Sequence, residues 1–248
     1  LAYSRKKQAT VLADNVRMTL SLFDFISKNP TIRLVNPIAN CAYPGELSSF
    51  REGDFWSGSI HESVLGYGGA RRFSVLASQA YREEFAVEVV DVVLPNLYGP
   101  GDHLDAVRAH ALGGLVFRIL VAVEESLEEV VVWGSGNPIR EWLYVEEAAR
   151  ALVLASGVEN PPDFVNVGTG DSISIANLAA MIAEVAGYTG DFVFDTSFPD
   201  GAAEKRMEAE RALEGLGWSP SVSLREGLIK TVQDARNRLA ASREAVEL

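Results

Sequence analysis

The run Val87–Leu94, VEVVDVVL, limits the fold more than any other stretch of the chain. Five valines and a leucine in eight residues leave no polar face to turn toward water. That is the mark of a parallel strand covered on both sides. Parallel strands are joined by long crossovers, usually helices, and both neighbouring segments carry a helical period. The spacing predicts a tyrosine-bearing helix over Leu65–Glu84, with Phe73, Leu76, Ala77 and Ala80 on one face, and another over Ala106–Glu125.

The rest of the chain alternates in the same way. Gln8–Lys28 reads as an amphipathic helix through Val11, Leu12, Val16, Leu20, Phe23 and Ile26, and Asn29–Pro30 stops it. Thr31–Ile38 is predicted as a strand that ends in the loop Ala39–Gly45. Glu46–Leu65 has no clear period and reads as a long surface loop. After the valine run come a turn-rich loop, Pro95–Asp102, a strand, Glu129–Trp133, a loop, Gly134–Arg140, and a helix, Val145–Ser156. Short strands at Phe164–Val167 and Phe192–Phe194 flank a helix at Ile175–Ala186, and helices near Lys205–Glu214 and Leu224–Ala241 close the chain. Helices alternating with strands indicate an α/β sheet.

Ligands of open α/β sheets sit beyond the carboxyl ends of the strands. Three such ends are Ala39–Tyr43, Asn96–Asp102 and Gly134–Arg140, all rich in polar residues, Gly and Pro. The tyrosine helix starts close to the first of them. Tyr67 and Arg71 lie four residues apart, on one helix face, and a phenol beside a fixed cation is a poised proton donor and acceptor. The plainer alternative is a surface tyrosine next to a solvated basic turn.

The net charge of −12 argues against a nucleic-acid partner, whose binding face is normally basic. A small anionic ligand needs only a local basic pocket. The single cysteine, Cys41, excludes an internal disulfide and a thiolate cluster for zinc. No segment reaches the roughly 18 apolar residues that span a bilayer, and no signal peptide opens the chain. The expected compartment is the cytosol, with no membrane partner.

Six motifs in order carry a resemblance: Asn40-Cys41-Ala42-Tyr43-Pro44; Tyr67 with Arg71; Asn96-Leu97-Tyr98-Gly99-Pro100; Val131-Val132-Trp133-Gly134-Ser135-Gly136; Arg140-Glu141-Trp142-Leu143-Tyr144-Val145; and Val165-Asn166-Val167-Gly168-Thr169-Gly170. Pro199-Asp200-Gly201 follows them. The chain resembles the extended short-chain dehydrogenase/reductases (the NAD-dependent epimerase/dehydratase family) that act on nucleotide sugars, and among them the GDP-L-fucose synthase branch of epimerase-reductases. The resemblance implies a Rossmann-like parallel sheet with a smaller C-terminal α/β substrate domain. The incomplete Rossmann-like part is expected at 1–102 and 128–170, and the substrate-binding part at 103–127 and 171–248.

It also implies roles. Tyr67 would exchange a proton with the sugar C4 oxygen, Arg71 would stand where the family has a lysine, and both would touch the NADP or NAD cofactor together with Pro95 and Asn96. Cys41 would be the base and His110 the acid of an epimerisation beside a 4-keto group. A proton next to a ketone is acidic enough for a side chain to remove, and the opposite face needs a separate donor. Asn40, Asn96, Arg140 and Lys205 would bind the nucleotide sugar, and a homodimer formed through the first helix and the tyrosine helix is expected.

The sequence departs from this pattern in three places. The Gly-rich turn that takes the cofactor pyrophosphate in this family is absent, so the first three strands of the expected sheet are missing. Ala39 stands where the family has a serine or threonine, and Arg71 replaces lysine. These departures keep two alternatives open. One is a cofactor-free nucleotide-sugar-binding or assembly protein on the same fold; the other is an NAD-dependent sugar-nucleotide 4-epimerase.

Overall fold

The computed structural model describes residues 6–104 and 110–244. Its centre is a three-stranded parallel sheet in the order β1 (Leu34–Ala39), β3 (Val89–Leu94), β7 (Phe164–Asn166). All six residues of β3 are buried, as the valine run requires. Alternation splits them between two layers. Val90, Val92 and Leu94 pack on Ala148, Ala151 and Ala155 of α4 (Val145–Gly157) and on Ala212 and Leu216 of α6 (Glu210–Leu216). Val89 and Val93 face α1 (Gln8–Ser27) and α2 (Leu65–Phe85), where Phe23, Ile26, Val75 and Ala77 wait.

Asp91 is the polar exception on β3. It faces α2 and is fully buried. Asn36 Nδ2 and Ser78 Oγ each donate to its Oδ1 at 2.7 Å, and Arg82 donates to Oδ2 at 3.1 Å. Burial nevertheless pushes the carboxyl from 3.8 up to about 6. An acid whose folded pKa is raised contributes stability at low pH and loses it as pH rises through the folded value. The whole loss from this group is about 3 kcal/mol, most of it between pH 4 and 6. In urea unfolding, Asp91→Asn is therefore expected to gain on the wild type by about 1.4 kcal/mol between pH 5 and pH 7.5; a constant difference would show that Asp91 does not titrate there.

A second sheet runs β2 (Ser49–Phe50), β10 (Glu204–Met207), β6 (Ile139–Tyr144), β4 (Asn96–Tyr98), with β8 (Ser172–Ser174) antiparallel on β6. A third pair, β5 (Glu129–Trp133) and β9 (Asp191–Asp195), is parallel. It lies in a core built from α3 (Ala111–Glu125), α5 (Ile175–Ala186) and α7 (Leu224–Glu244), through residues such as Leu115, Ile119, Val130, Val132, Ile182 and Leu228. No described helix is long and apolar enough to cross a membrane.

Four local expectations are corrected. Glu46–Leu65 is not a surface loop: Phe50 and Phe55 are buried against Tyr43. Asn166 pins this segment to the sheet by donating to the carbonyls of Phe50 and Glu208. Within Pro95–Asp102, residues Asn96–Tyr98 form β4. Lys205 and Arg140 lie on paired strands, β10 and β6, not on a helix and in a loop. β5, grouped by sequence with the first unit, pairs instead with β9, because its alternate residues Val130 and Val132 fit the core of α3 and α5. The expected start of the third helix, at 106–109, lies outside the described residues.

Candidate active site

The site begins where α2 meets the end of β1. After Ala39 the chain makes a single 3-10 turn, Asn40–Ala42, and the first turn of α2 is pressed against it. Gly68 permits this contact: a Cβ there would stand 2.6 Å from the Cys41 carbonyl oxygen. Tyr67 is held beside that junction, half-buried in the first turn of the helix.

Both arginines of the LGYGGARR stretch are engaged. The Arg71 guanidinium lies over the Tyr67 ring, 5.0 Å from its centre, and donates to Asn15 Oδ1 of α1 at 2.6 Å. Its Nε is buried with no hydrogen-bond partner among the described residues. Arg72 donates to the carbonyls of Ala42 (3.0 Å), Gly58 (2.8 Å) and Phe55 (3.1 Å). It staples the cysteine turn to the segment before α2. The stretch is therefore not a solvated basic turn.

Cys41 is half-buried, and burial pushes its thiol up to about 11; Lys205 and Arg71 are the cations that pull it back. Lys205 and Arg140 are register partners on adjacent strands. Burial lowers the pKa of both, with Arg140 adding to the effect on Lys205. Arg140 reaches the carbonyls of Ile139 (2.7 Å) and Asp200 (3.4 Å). Two paired strands thus bring half-buried cations together on a chain that is acidic overall.

Glu141 does not pair with Arg140, because successive strand residues point to opposite faces. It is buried and accepts from the backbone N–H of Thr169 (2.5 Å), Met207 (2.6 Å) and Gly170 (3.3 Å). Burial raises its pKa, and these donors oppose that rise. The carboxylate ties the Gly168–Gly170 turn to β10 and so fixes the strand that carries Lys205. Asn96 donates to the Glu141 carbonyl at 3.0 Å and braces β4 on β6.

A further wall stands at the end of β5. Trp133 is half exposed, stacks on Phe198 at 4.7 Å, and has the Arg118 guanidinium 5.0 Å from its ring centre. Arg118 Nε is buried without a hydrogen-bond partner among the described residues. Asp200 holds the adjoining Gly134–Gly136 loop by accepting from Ser135 N and Oγ, each at 2.7 Å. Gly134 has φ +88, which favours glycine.

The structure thus brings Cys41, Tyr67, Arg71, Arg140 and Lys205 into one neighbourhood, with Asn40 in the cysteine turn and Pro95 and Asn96 beyond the end of β3. His110 stands exposed immediately ahead of α3. Asn15, Arg118, Glu141 and Phe198 were missed as site residues. Arg118 had a signal, being the single charge in the apolar run Ala111–Val123. Asn15 had one too, as a polar residue beside the apolar stripe of α1.

Residues 2–168 match the NAD dependent epimerase/dehydratase family. The chain is 33% identical over 225 residues to "Probable GDP-L-fucose synthase 1" of Oryza sativa subsp. japonica, covering 90% of this chain and 68% of that protein. It is 32% identical over 235 residues to the GDP-L-fucose synthase of Escherichia coli (strain K12), covering 91% and 73%. The solved structure of a GDP-L-fucose synthetase from Naegleria fowleri bound to NADP superposes with a TM-score of 0.87 at 24% identity, covering 94% of this chain and 75% of that one. The fold is that of the Rossmann-like epimerases and reductases. On these matches the chain belongs to the NAD dependent epimerase/dehydratase family of enzymes.

Proposed function

We propose that the chain is an epimerase-reductase of the GDP-L-fucose synthase type, acting on a 4-keto sugar nucleotide. The observation that carries this reading is the convergence of a phenol, a half-buried thiol just past the carboxyl end of β1, and a cationic pair at the amino ends of β6 and β10.

The residues fit the nicotinamide end of NAD(P). Arg71 Nε is a buried donor without an acceptor among the described residues, suited to an oxygen of the cofactor ribose, and Tyr67, Pro95 and Asn96 are the other residues we assign to the cofactor. When bound, the cofactor supplies hydride for the keto carbon. NADP is the form we propose, as in the Naegleria fowleri structure.

Everything else falls to side chains of this chain. Tyr67 gives its phenolic proton to the C4 oxygen as that oxygen gains charge. Arg71, held by Asn15, keeps its positive charge fixed over the ring. Asn40 offers an amide where Ala39 has no hydroxyl. Cys41 removes a proton from a carbon beside the ketone, and His110 returns one to the opposite face. Arg140 and Lys205 take the diphosphate: arginine presents a planar fork of donors and lysine a point charge. Trp133, Phe198 and Arg118 provide the flat wall for the nucleobase. Purified protein given GDP-4-keto-6-deoxymannose and NADPH is expected to consume NADPH, read at 340 nm. No consumption with that or any other 4-keto sugar nucleotide sinks the reading.

A homodimer through α1 and α2 belongs to the same proposal. Met18, Leu22 and Phe25 of α1 and Leu76 of α2 are left exposed, an unusual density of apolar side chains on two packed helices. Leu76→Glu is expected to halve the molar mass by light scattering. A wild type that already runs as a monomer would count against it.

A further inference from the structure

We propose that Lys205 is a positioning residue for Cys41: its ammonium, set beside the Arg140 anion subsite, stabilises the thiolate that Cys41 must form to act as base. This rests on the epimerase reading above and deepens it.

Lys205 is a cation without a fixed counter-charge. It makes no ion pair among the described residues, and its register neighbour is another cation, Arg140. Its Nζ lies 5.6 Å from the centre of the Phe50 ring. That ring stacks on Tyr43 at 4.7 Å, two residues beyond Cys41, so the side chain leans toward the cysteine turn. The charged groups that act on the thiol are Lys205 from β10 and Arg71 from α2, with no carboxylate among them. Arg71 is already committed to Asn15 and the Tyr67 ring. Lys205, which also faces the diphosphate subsite beside Arg140, is the cation from β10 that acts on the thiol.

The proton bookkeeping is simple. Cys41 gives its proton to water and becomes a thiolate next to the Lys205 ammonium. The thiolate then takes the proton from the carbon beside the ketone, and the electron pair of that C–H bond moves toward the carbonyl oxygen as the enolate. Lys205 touches none of the reacting atoms in this step.

Cys41 is the sole cysteine, so alkylation by neutral iodoacetamide, followed by intact mass between pH 7 and 9.5, reads this thiol alone. It needs neither substrate nor turnover, so its failure is distinct from failure of the activity assay. Lys205→Met is expected to slow alkylation at pH 8 about tenfold, the equivalent of one pKa unit. Lys205→Arg is expected to restore the rate to within about twofold, since it keeps the charge. Arg206→Met, which removes an exposed charge from the same strand, is expected to leave the rate unchanged. Thermal scans of each variant check that the fold persists. An unchanged or faster rate in Lys205→Met, or equal slowing in Arg206→Met, overturns the proposal.

Discussion

Replacing Tyr67 by Phe is expected to lower kcat for reduction of a 4-keto sugar nucleotide by about 10³-fold, within the range that a positioned proton donor contributes. The ring would remain in place, half-buried in the first turn of α2 with Arg71 over its face, so KM should move by no more than a few fold. The melting temperature should hold for the same reason. Only the hydroxyl is removed, and its proton is needed as charge builds on the C4 oxygen. A loss in kcat alone marks an interaction made in the transition state. Steady-state kinetics at 340 nm beside a thermal scan separates the cases. A loss smaller than about threefold would assign proton donation to another group.

The second large effect is structural. Glu141→Ala is expected to destabilise the protein by about 2 kcal/mol, because the buried Met207 N–H left unpaired costs about 1–3 kcal/mol while water can reach the 169–170 turn. Three backbone N–H groups, of Thr169, Gly170 and Met207, would lose their acceptor together. The same change should weaken binding of GDP, because β10 would no longer hold Lys205 beside Arg140. Glu141→Gln is expected to lose less: one amide oxygen still accepts from the 169–170 turn, while its NH₂ would face a donor. Urea unfolding and calorimetry with GDP measure the two effects. Wild-type stability in Glu141→Ala would mean that water replaces the carboxylate at no cost.

Glu141 also shows where the sequence stops being legible. Arg140 and Glu141 are adjacent and opposite in charge, which invites an ion pair. On a strand they face opposite sides, and the carboxylate goes to backbone groups from two distant segments. Lys205 was misplaced for a related reason. Glu204–Met207 is a short polar stretch whose strand character comes only from pairing with β6 and β2, and β preference depends on such context. Phe50 and Phe55 sit among Gly, Ser and Trp with no period, so their burial against Tyr43 could not be read.

What was legible had either strong periodicity or a motif. The valine run of β3, the amphipathic α1 and α2, and the loops at the strand ends all follow from patterns a few residues long. The tyrosine was found by its spacing to Arg71. Its support was not: Asn15 and the glycine contact at Cys41 join parts of the chain that only the fold makes neighbours.

The most direct test of the epimerase-reductase reading is deuterium incorporation from D₂O at the sugar carbons flanking the ketone, followed by NMR of a GDP-bound 4-keto sugar without NADPH. Wild-type protein is expected to place deuterium at C3 and C5, faster as pH rises toward the Cys41 value of about 11, since the thiolate fraction grows about tenfold per unit below it. Cys41→Ala is expected to abolish that exchange. Retention of both protons by the wild type, or exchange that survives in Cys41→Ala, would contradict the reading.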